Sequence, residues 1–261
     1  MAAPAPARSS TSGWTRNLGA PSKAAARGRA APSKLVCLES YWNDRLFHSV
    51  SVRGFLEALR PALRPPLQVA HRFVESKRGL AYYTKRPRGL LWREPEVWDT
   101  PIYYLALHGS PGRVTSVLDT IGSDNLCDAF RGYDGYDCLI YFGCCSVLRG
   151  EAGRRFARRF LKAAGCRAVI GYRTSIDWMP SMLIDLLFFQ RFYSHPAPWQ
   201  ALREIHASVK RDFQPARDYG FTLISTERCR LKRVVSSVPA SDVTCINVES
   251  GIMSSVVLLR T

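Results

Sequence analysis

The chain has 261 residues and lacks several things, each of which narrows what it can be. No apolar run reaches the roughly 18 residues that a transmembrane helix requires, so no membrane association is expected. The longest apolar stretch, around Met182–Phe189, is interrupted by Asp185 and reads as a buried helix. No basic-then-apolar leader of the secretory kind opens the sequence. None of the eight cysteines forms a CxxC pair. Zinc therefore lacks its usual ligand spacing, and neither a metal nor another cofactor is expected. Several of the cysteines sit inside apolar runs, as buried free thiols do, and a reducing cytoplasm is their expected compartment. Acidic residues are also scarce, and none precedes Glu39.

Against those absences stands an excess of positive charge, +16 in all. The first 34 residues hold six basic residues, and the remainder still has 31 basic against 21 acidic, leaving +10. Such a surface attracts nucleic acid, anionic lipid or acidic protein, or is simply a solvated arginine-rich exterior. Residues 1–33 are rich in Ala, Pro, Ser, Gly and Arg, cannot bury enough apolar surface to offset ordering entropy, and are expected to be a disordered tail. Residues 34–261 are expected to form one α/β domain with a mostly parallel central sheet and helices on both faces. Its last part, 219–261, reads as a β-rich extension, with strand-like runs at Phe221–Ser225, Arg233–Val238, Val243–Val248 and Val256–Leu259.

Strands are predicted at Leu35–Glu39, Leu67–Val74, Pro101–Leu107, Asp137–Phe142 and Arg167–Tyr172, with a short one at Val114–Leu118. Helices are predicted over Val50–Leu63, Asp124–Arg131, Pro180–Tyr193 and Pro198–Phe213. The clearest is Glu151–Ala164: Phe156, Ala157, Phe160, Leu161 and Ala164 share one face, five basic residues share the other, and Gly165 ends it. Residues 76–100 show no clear period and suggest a hairpin or an irregular crossover.

Two buried-strand strings end abruptly in a reactive residue beside glycine. One is Ile102-Tyr103-Tyr104-Leu105-Ala106-Leu107-His108-Gly109. The other is Leu139-Ile140-Tyr141-Phe142-Gly143-Cys144-Cys145-Ser146. Functional side chains gather at the carboxyl ends of strands in open α/β sheets, so a histidine and a cysteine there can meet. Thiol chemistry needs a nucleophile, a proton carrier, and N–H groups to hold an oxyanion. Cys144, His108, and the backbone N–H groups of Gly109 and Cys144 supply that set, with Cys145 as the alternative nucleophile. Asp177 follows the next strand, where a carboxylate would favour a basic substrate side chain, or else is a helix N-cap or surface residue.

Leu105-Ala106-Leu107-His108-Gly109 resembles the His-Gly motif of clan CD cysteine peptidases, the group of caspases, separase, gingipains and bacterial CHAT proteins. Leu139–Ser146 resembles their strand-Ala-Cys-x-Ser/Gly motif, with Gly143 in the place of Ala. The stretch from Ala157 to Gly171 is similar to the CHAT segment in which a helix leads into the next strand, and the likeness covers roughly residues 100–210. The resemblance implies a caspase-like fold and a cysteine endopeptidase acting on a protein or peptide substrate, with a regulatory partner or activator. It also implies His108 as the catalytic histidine, acting chiefly on the leaving group. Cys144 is then the nucleophile, because Gly143 takes the small-residue slot and Ser146 the polar one. Two other readings stand beside this one. The first is a non-catalytic caspase-like module that binds a partner, and the second is a basic nucleic-acid-associated α/β protein. An active-site thiol probe separates the enzyme from both, and salt-sensitive nucleic-acid binding identifies the third.

Overall fold

The computed structural model describes residues 33–42, 50–94, 99–133 and 137–226. Strand β1 (Lys34–Glu39) leads to helix α1 (Arg53–Leu59), a 3-10 turn over Arg60–Ala62, and β2 (Gln68–Phe73). Helix α2 (Lys77–Thr84) and a 3-10 turn at Leu90–Trp92 precede β3 (Ile102–Ala106). Three short strands follow: β4 (His108–Ser110), β5 (Arg113–Thr115) and β6 (Thr120–Gly122). Next come α3 (Ser123–Ala129), β7 (Leu139–Phe142), α4 (Gly150–Ala164) and β8 (Ala168–Gly171). The described part closes with α5 (Trp178–Ser194), α6 (Leu202–Asp212), α7 (Gln214–Asp218) and β9 (Thr222–Ser225).

The main sheet has the order β2-β1-β3-β7-β8-β9. Its first five strands run parallel, and β9 pairs antiparallel to β8. The pairs Ile102↔Leu139 through Leu105↔Phe142 put β3 directly beside β7, so the two motif-bearing strands are neighbours. The inner strands β1, β3, β7 and β8 are buried on both faces because helices cover both. On one side Val36, Tyr103, Leu105, Ile140, Phe142 and Val169 pack with the buried faces of α2, α3 and α4. On the other, Leu35, Ile102, Tyr104, Tyr141 and Ile170 pack with α1, α5, α6 and α7. This is the α/β layout the sequence predicts.

Three local expectations change. Residues 77–84 form a helix rather than a hairpin or irregular crossover: Ser76 Oγ accepts from the Gly79 N–H at 3.0 Å, and Leu80 and Thr84 bury one turn apart. The strand expected at Val114–Leu118 is β5, which pairs with β4 and β6 in a separate antiparallel sheet. The helix expected from Pro198 begins at Leu202, and α7 follows it. The runs at Arg233–Val238, Val243–Val248 and Val256–Leu259 lie outside the described residues, as do residues 1–32 of the tail. Among the described residues no helix is long and apolar enough to cross a membrane.

Candidate active site

Side chains alternate across a strand, and that alternation sorts the two thiols. Tyr141 faces the α5 side and Phe142 the α4 side. Continuing the alternation sends Cys144 to the α4 side and Cys145 to the α5 side. The contacts agree. Cys144 is fully buried among the α4-side residues, and its thiol donates to the Leu105 carbonyl at 3.2 Å. Burial pushes its pKa far above the ordinary thiol value, so it is held as a neutral S–H. Cys145 is partly exposed. Its sulfur lies 3.5 Å from the Ile176 N–H and 3.8 Å from the Ile176 carbonyl oxygen, on the loop after β8.

His108 follows the same parity. Tyr104 and Ala106 face the α5 side and Leu107 the α4 side. His108 then emerges toward the α5 side, exposed. Its ring meets the edge of Trp42 with 5.2 Å between centroids, and Trp42 in turn meets Trp178, the first residue of α5, at 5.2 Å. Adjacent parallel strands thus deliver His108 and Cys145 to one face, while Cys144 turns to the opposite one.

Two glycines fix the turn that carries the thiols. A Cβ on Gly109 would overlap the Cys145 carbonyl oxygen and the Cys144 side chain, so the His-Gly turn lies directly on the cysteine turn. A Cβ on Gly143 would overlap the Tyr104 ring. The slot that the family motif fills with alanine therefore has no room for a methyl at Gly143, and the small buried side chain before the exposed thiol is Cys144. Ser146 follows in the left-handed region at φ 56, unusual for a residue with a side chain, and its N–H donates to the Thr174 carbonyl at 2.8 Å. The Leu148 N–H donates to Tyr172 at 3.0 Å and the Gly112 N–H to Val147 at 3.0 Å, clamping the turn from both sides.

Two buried carboxylates brace the strand ends. Glu39, at the end of β1, is fully buried and accepts from Trp42 Nε1 at 2.7 Å, Ser51 Oγ at 2.6 Å and the Val52 N–H at 2.8 Å; His71 Nε2 lies 2.6 Å away. Desolvation pulls its pKa upward, but the hydrogen bonds outweigh it and the net shift is downward, which keeps an anion there. Through Trp42 that anion fixes the wall against which His108 rests. Asp185 of α5 accepts from the hydroxyls of Tyr104, Tyr141 and Tyr172, tying α5 to three neighbouring strands. Burial raises its pKa to about 6.

Sequence reasoning did not single out Glu39, Trp42, Trp178 or the three tyrosines. A charge closing the buried run Leu35–Glu39, and Asp185 inside an apolar helix, were the available signals. Asp177 is exposed and makes no side-chain cap for α5; its Oδ2 accepts from the Tyr219 hydroxyl at 2.8 Å. Among the described residues no group of three His, Cys, Asp or Glu side chains is placed to hold a metal ion.

No protein-family model and no curated protein matches the chain. Among solved structures it is similar to a secreted C11 cysteine protease from Bacteroides thetaiotaomicron, determined with an irreversible peptide inhibitor. That alignment has 12% identity and a TM-score of 0.40, and it covers 67% of this chain and 59% of the protease, so the chain spans less than two thirds of that protein. It is also similar to caspase-1 from Spodoptera frugiperda, with 11% identity, a TM-score of 0.39, and coverage of 70% and 77%.

Proposed function

We propose that the chain is a caspase-like cysteine peptidase in which Cys145 is the nucleophile and His108 the proton carrier. One observation supports this above the others. His108 and Cys145 leave adjacent parallel strands toward the same face, and Cys145 is accessible where Cys144 is sealed. The motif resemblance favoured Cys144; its burial and its bond to Leu105 move the proposal to Cys145.

In this reading the Cys145 thiol passes its proton to His108 as the sulfur attacks the scissile carbonyl carbon, giving a tetrahedral oxyanion. The Gly109 N–H, and the Cys145 N–H in place of that of Cys144, hold the oxyanion. His108 gives a proton to the departing amine as the C–N bond breaks, leaving a thioester on Cys145. Water then hydrolyses the thioester and frees the thiol. The substrate is a protein or peptide. Asp177 follows Ile176, whose backbone touches the Cys145 thiol, and in this reading its carboxylate, which accepts from Tyr219, selects a basic residue before the cut.

The test is labelling with a cysteine-directed peptide electrophile, run beside turnover of peptides with basic or acidic residues before the cut. Cys145→Ala is expected to lose labelling and turnover with an unchanged fold. Cys144→Ala keeps both and loses about 1–2 kcal/mol of stability as a buried atom is removed. His108→Ala loses turnover but still labels, and Asp177→Asn lowers turnover on basic peptides alone. Labelling lost in Cys144→Ala and kept in Cys145→Ala reverses the assignment. A wild-type chain that neither labels nor cleaves, with or without an activating partner, makes it a binding module instead.

A further inference from the structure

The outer face of α4 and the hairpin beside it form a surface remote in chemistry from the thiol. Arg154, Arg155, Arg158, Arg159 and Lys162 are all exposed along α4. Positions three and four apart on a helix are neighbours, so Arg155 and Arg159, Arg154 and Arg158, and Arg158 and Lys162 repel one another. Glu151 pairs with Arg154 and Asp124 with Arg159. Among the described residues, no ion pair joins Arg155, Arg158, Lys162 or the nearby Arg113 to an acid. The left-handed Gly112 brings the β4–β5 turn against Phe156, and so aims Arg113 at the same side. Between that turn, the β6–α3 junction and α4 lies an open groove of about 540 Å³, with Arg113, Arg155 and Arg159 in its lining.

We propose that this face binds the phosphate backbone of duplex nucleic acid without reading its sequence. Guanidinium forks match phosphate oxygens. The row from Arg155 to Lys162 extends about 10 Å along the helix, the length over which one strand of a duplex presents about three phosphates. What the face lacks excludes the rivals. Among the described residues, none of the exposed large apolar side chains lines the groove, so an acidic protein would find charge but no anchor. Phe156 is buried, leaving no aromatic platform for the bases of a single strand. A self-repelling, anchor-free row of cations is suited to counterion release on a regular polyanion.

The experiment is fluorescence anisotropy of a labelled 20-base-pair duplex with the full chain across a potassium chloride series. The basic residues before Leu35 contribute equally to every variant, so differences in slope isolate the α4 face. Arg155→Gln with Arg158→Gln is expected to weaken binding at least tenfold at low salt. The same pair reduces the slope of log K against log salt by about 2, roughly 0.9 for each phosphate no longer neutralised. Arg113→Gln alone, on the hairpin, reduces it by about 1. A charge-matched control, Arg60→Gln with Arg72→Gln, leaves the slope unchanged. Equal losses in control and test variants overturn the proposal, because net charge alone then explains binding. Polyglutamate competing as well as duplex, charge for charge, assigns the face to acidic protein, and a single strand binding more tightly than duplex also overturns it.

Discussion

Gly143 and Gly109 do different work although each admits no side chain. Gly143 faces the Tyr104 ring, whose hydroxyl reaches Asp185 at 2.6 Å. Gly143→Ala must displace that ring and loosen the carboxylate network, an overpacking cost of about 1–3 kcal/mol. Gly109 faces backbone, the Cys145 carbonyl, which has less freedom to retreat. Gly109→Ala is therefore expected to displace the thiol turn itself, lowering the rate of Cys145 labelling at least tenfold, whereas Gly143→Ala is felt mainly as a lowered denaturation midpoint. Denaturant unfolding and labelling kinetics on the two variants separate these outcomes. The pair also shows what the sequence carried about the site. The His-Gly and Cys-Cys endings were legible because buried strands stop there. The opposite placement of the two thiols was also foreshadowed, in the period-two alternation of Tyr141 and Phe142 that puts Cys144 among the α4-side residues. Motif matching, which aligned Gly143 with an alanine, drew on none of that alternation. Trp42 left no signal and Glu39 only a charge closing a buried run, because what links them to His108 is pairing between β1 and β3.

At the scale of the element, α4 was read from sequence and α2 was not, for a physical reason. Over 15 residues α4 repeats a full apolar stripe, with Phe156, Ala157, Phe160, Leu161 and Ala164 buried, and it ends on Gly165 at φ 71 with its N–H on the Leu161 carbonyl. Phe160 touches Phe130, Phe142 and Phe156 edge-on or tilted, at 5.5 Å between centroids. Phe160→Ala is expected to cost about 3–5 kcal/mol, while Arg158→Ala on the solvated face costs about 0–1 kcal/mol. Similar effects from the two would mean the helix is turned the other way. In α2 only Leu80 and Thr84 are buried across eight residues, so no stripe accumulates and the Ser76 cap is the sole local signal. The mainly parallel sheet was legible for the same reason as α4: both-face burial leaves continuous apolar strands. Of the small β4-β5-β6 sheet, three residues to a strand, only β5 left a trace, as the short strand expected at Val114–Leu118.

For the whole molecule, acid stability is set by opposed buried groups. Asp185 has its pKa raised to about 6 by burial, so the folded state prefers the neutral acid. Its contribution is present below the ordinary carboxyl value and lost as pH rises through about 6, a swing of about 3 kcal/mol. His206 works the other way. Its ring nitrogen lies 3.1 Å from the Phe221 carbonyl oxygen, and burial lowers its pKa to about 4. The folded state prefers neutral imidazole, so that contribution is present above the ordinary imidazole value and lost as pH falls toward 4, again by about 3 kcal/mol. Glu39, shifted down, adds to the His206 side, because its anion is favoured in the fold and its stabilisation is lost as pH drops. The two larger swings share the window from about pH 4 to 6.5 and nearly cancel, so the wild-type chain is expected to show a shallow stability profile there. Asp185→Asn keeps an oxygen for the tyrosines and removes one side of the balance. Its stability should then climb by about 3 kcal/mol from pH 4 to 6.5. His206→Gln should show the reverse slope, reduced by what Glu39 still contributes. Urea unfolding of the three proteins at half-unit pH steps decides it: a wild-type profile as steep as that of Asp185→Asn would show that Asp185 is ionised in the fold like an ordinary carboxylate.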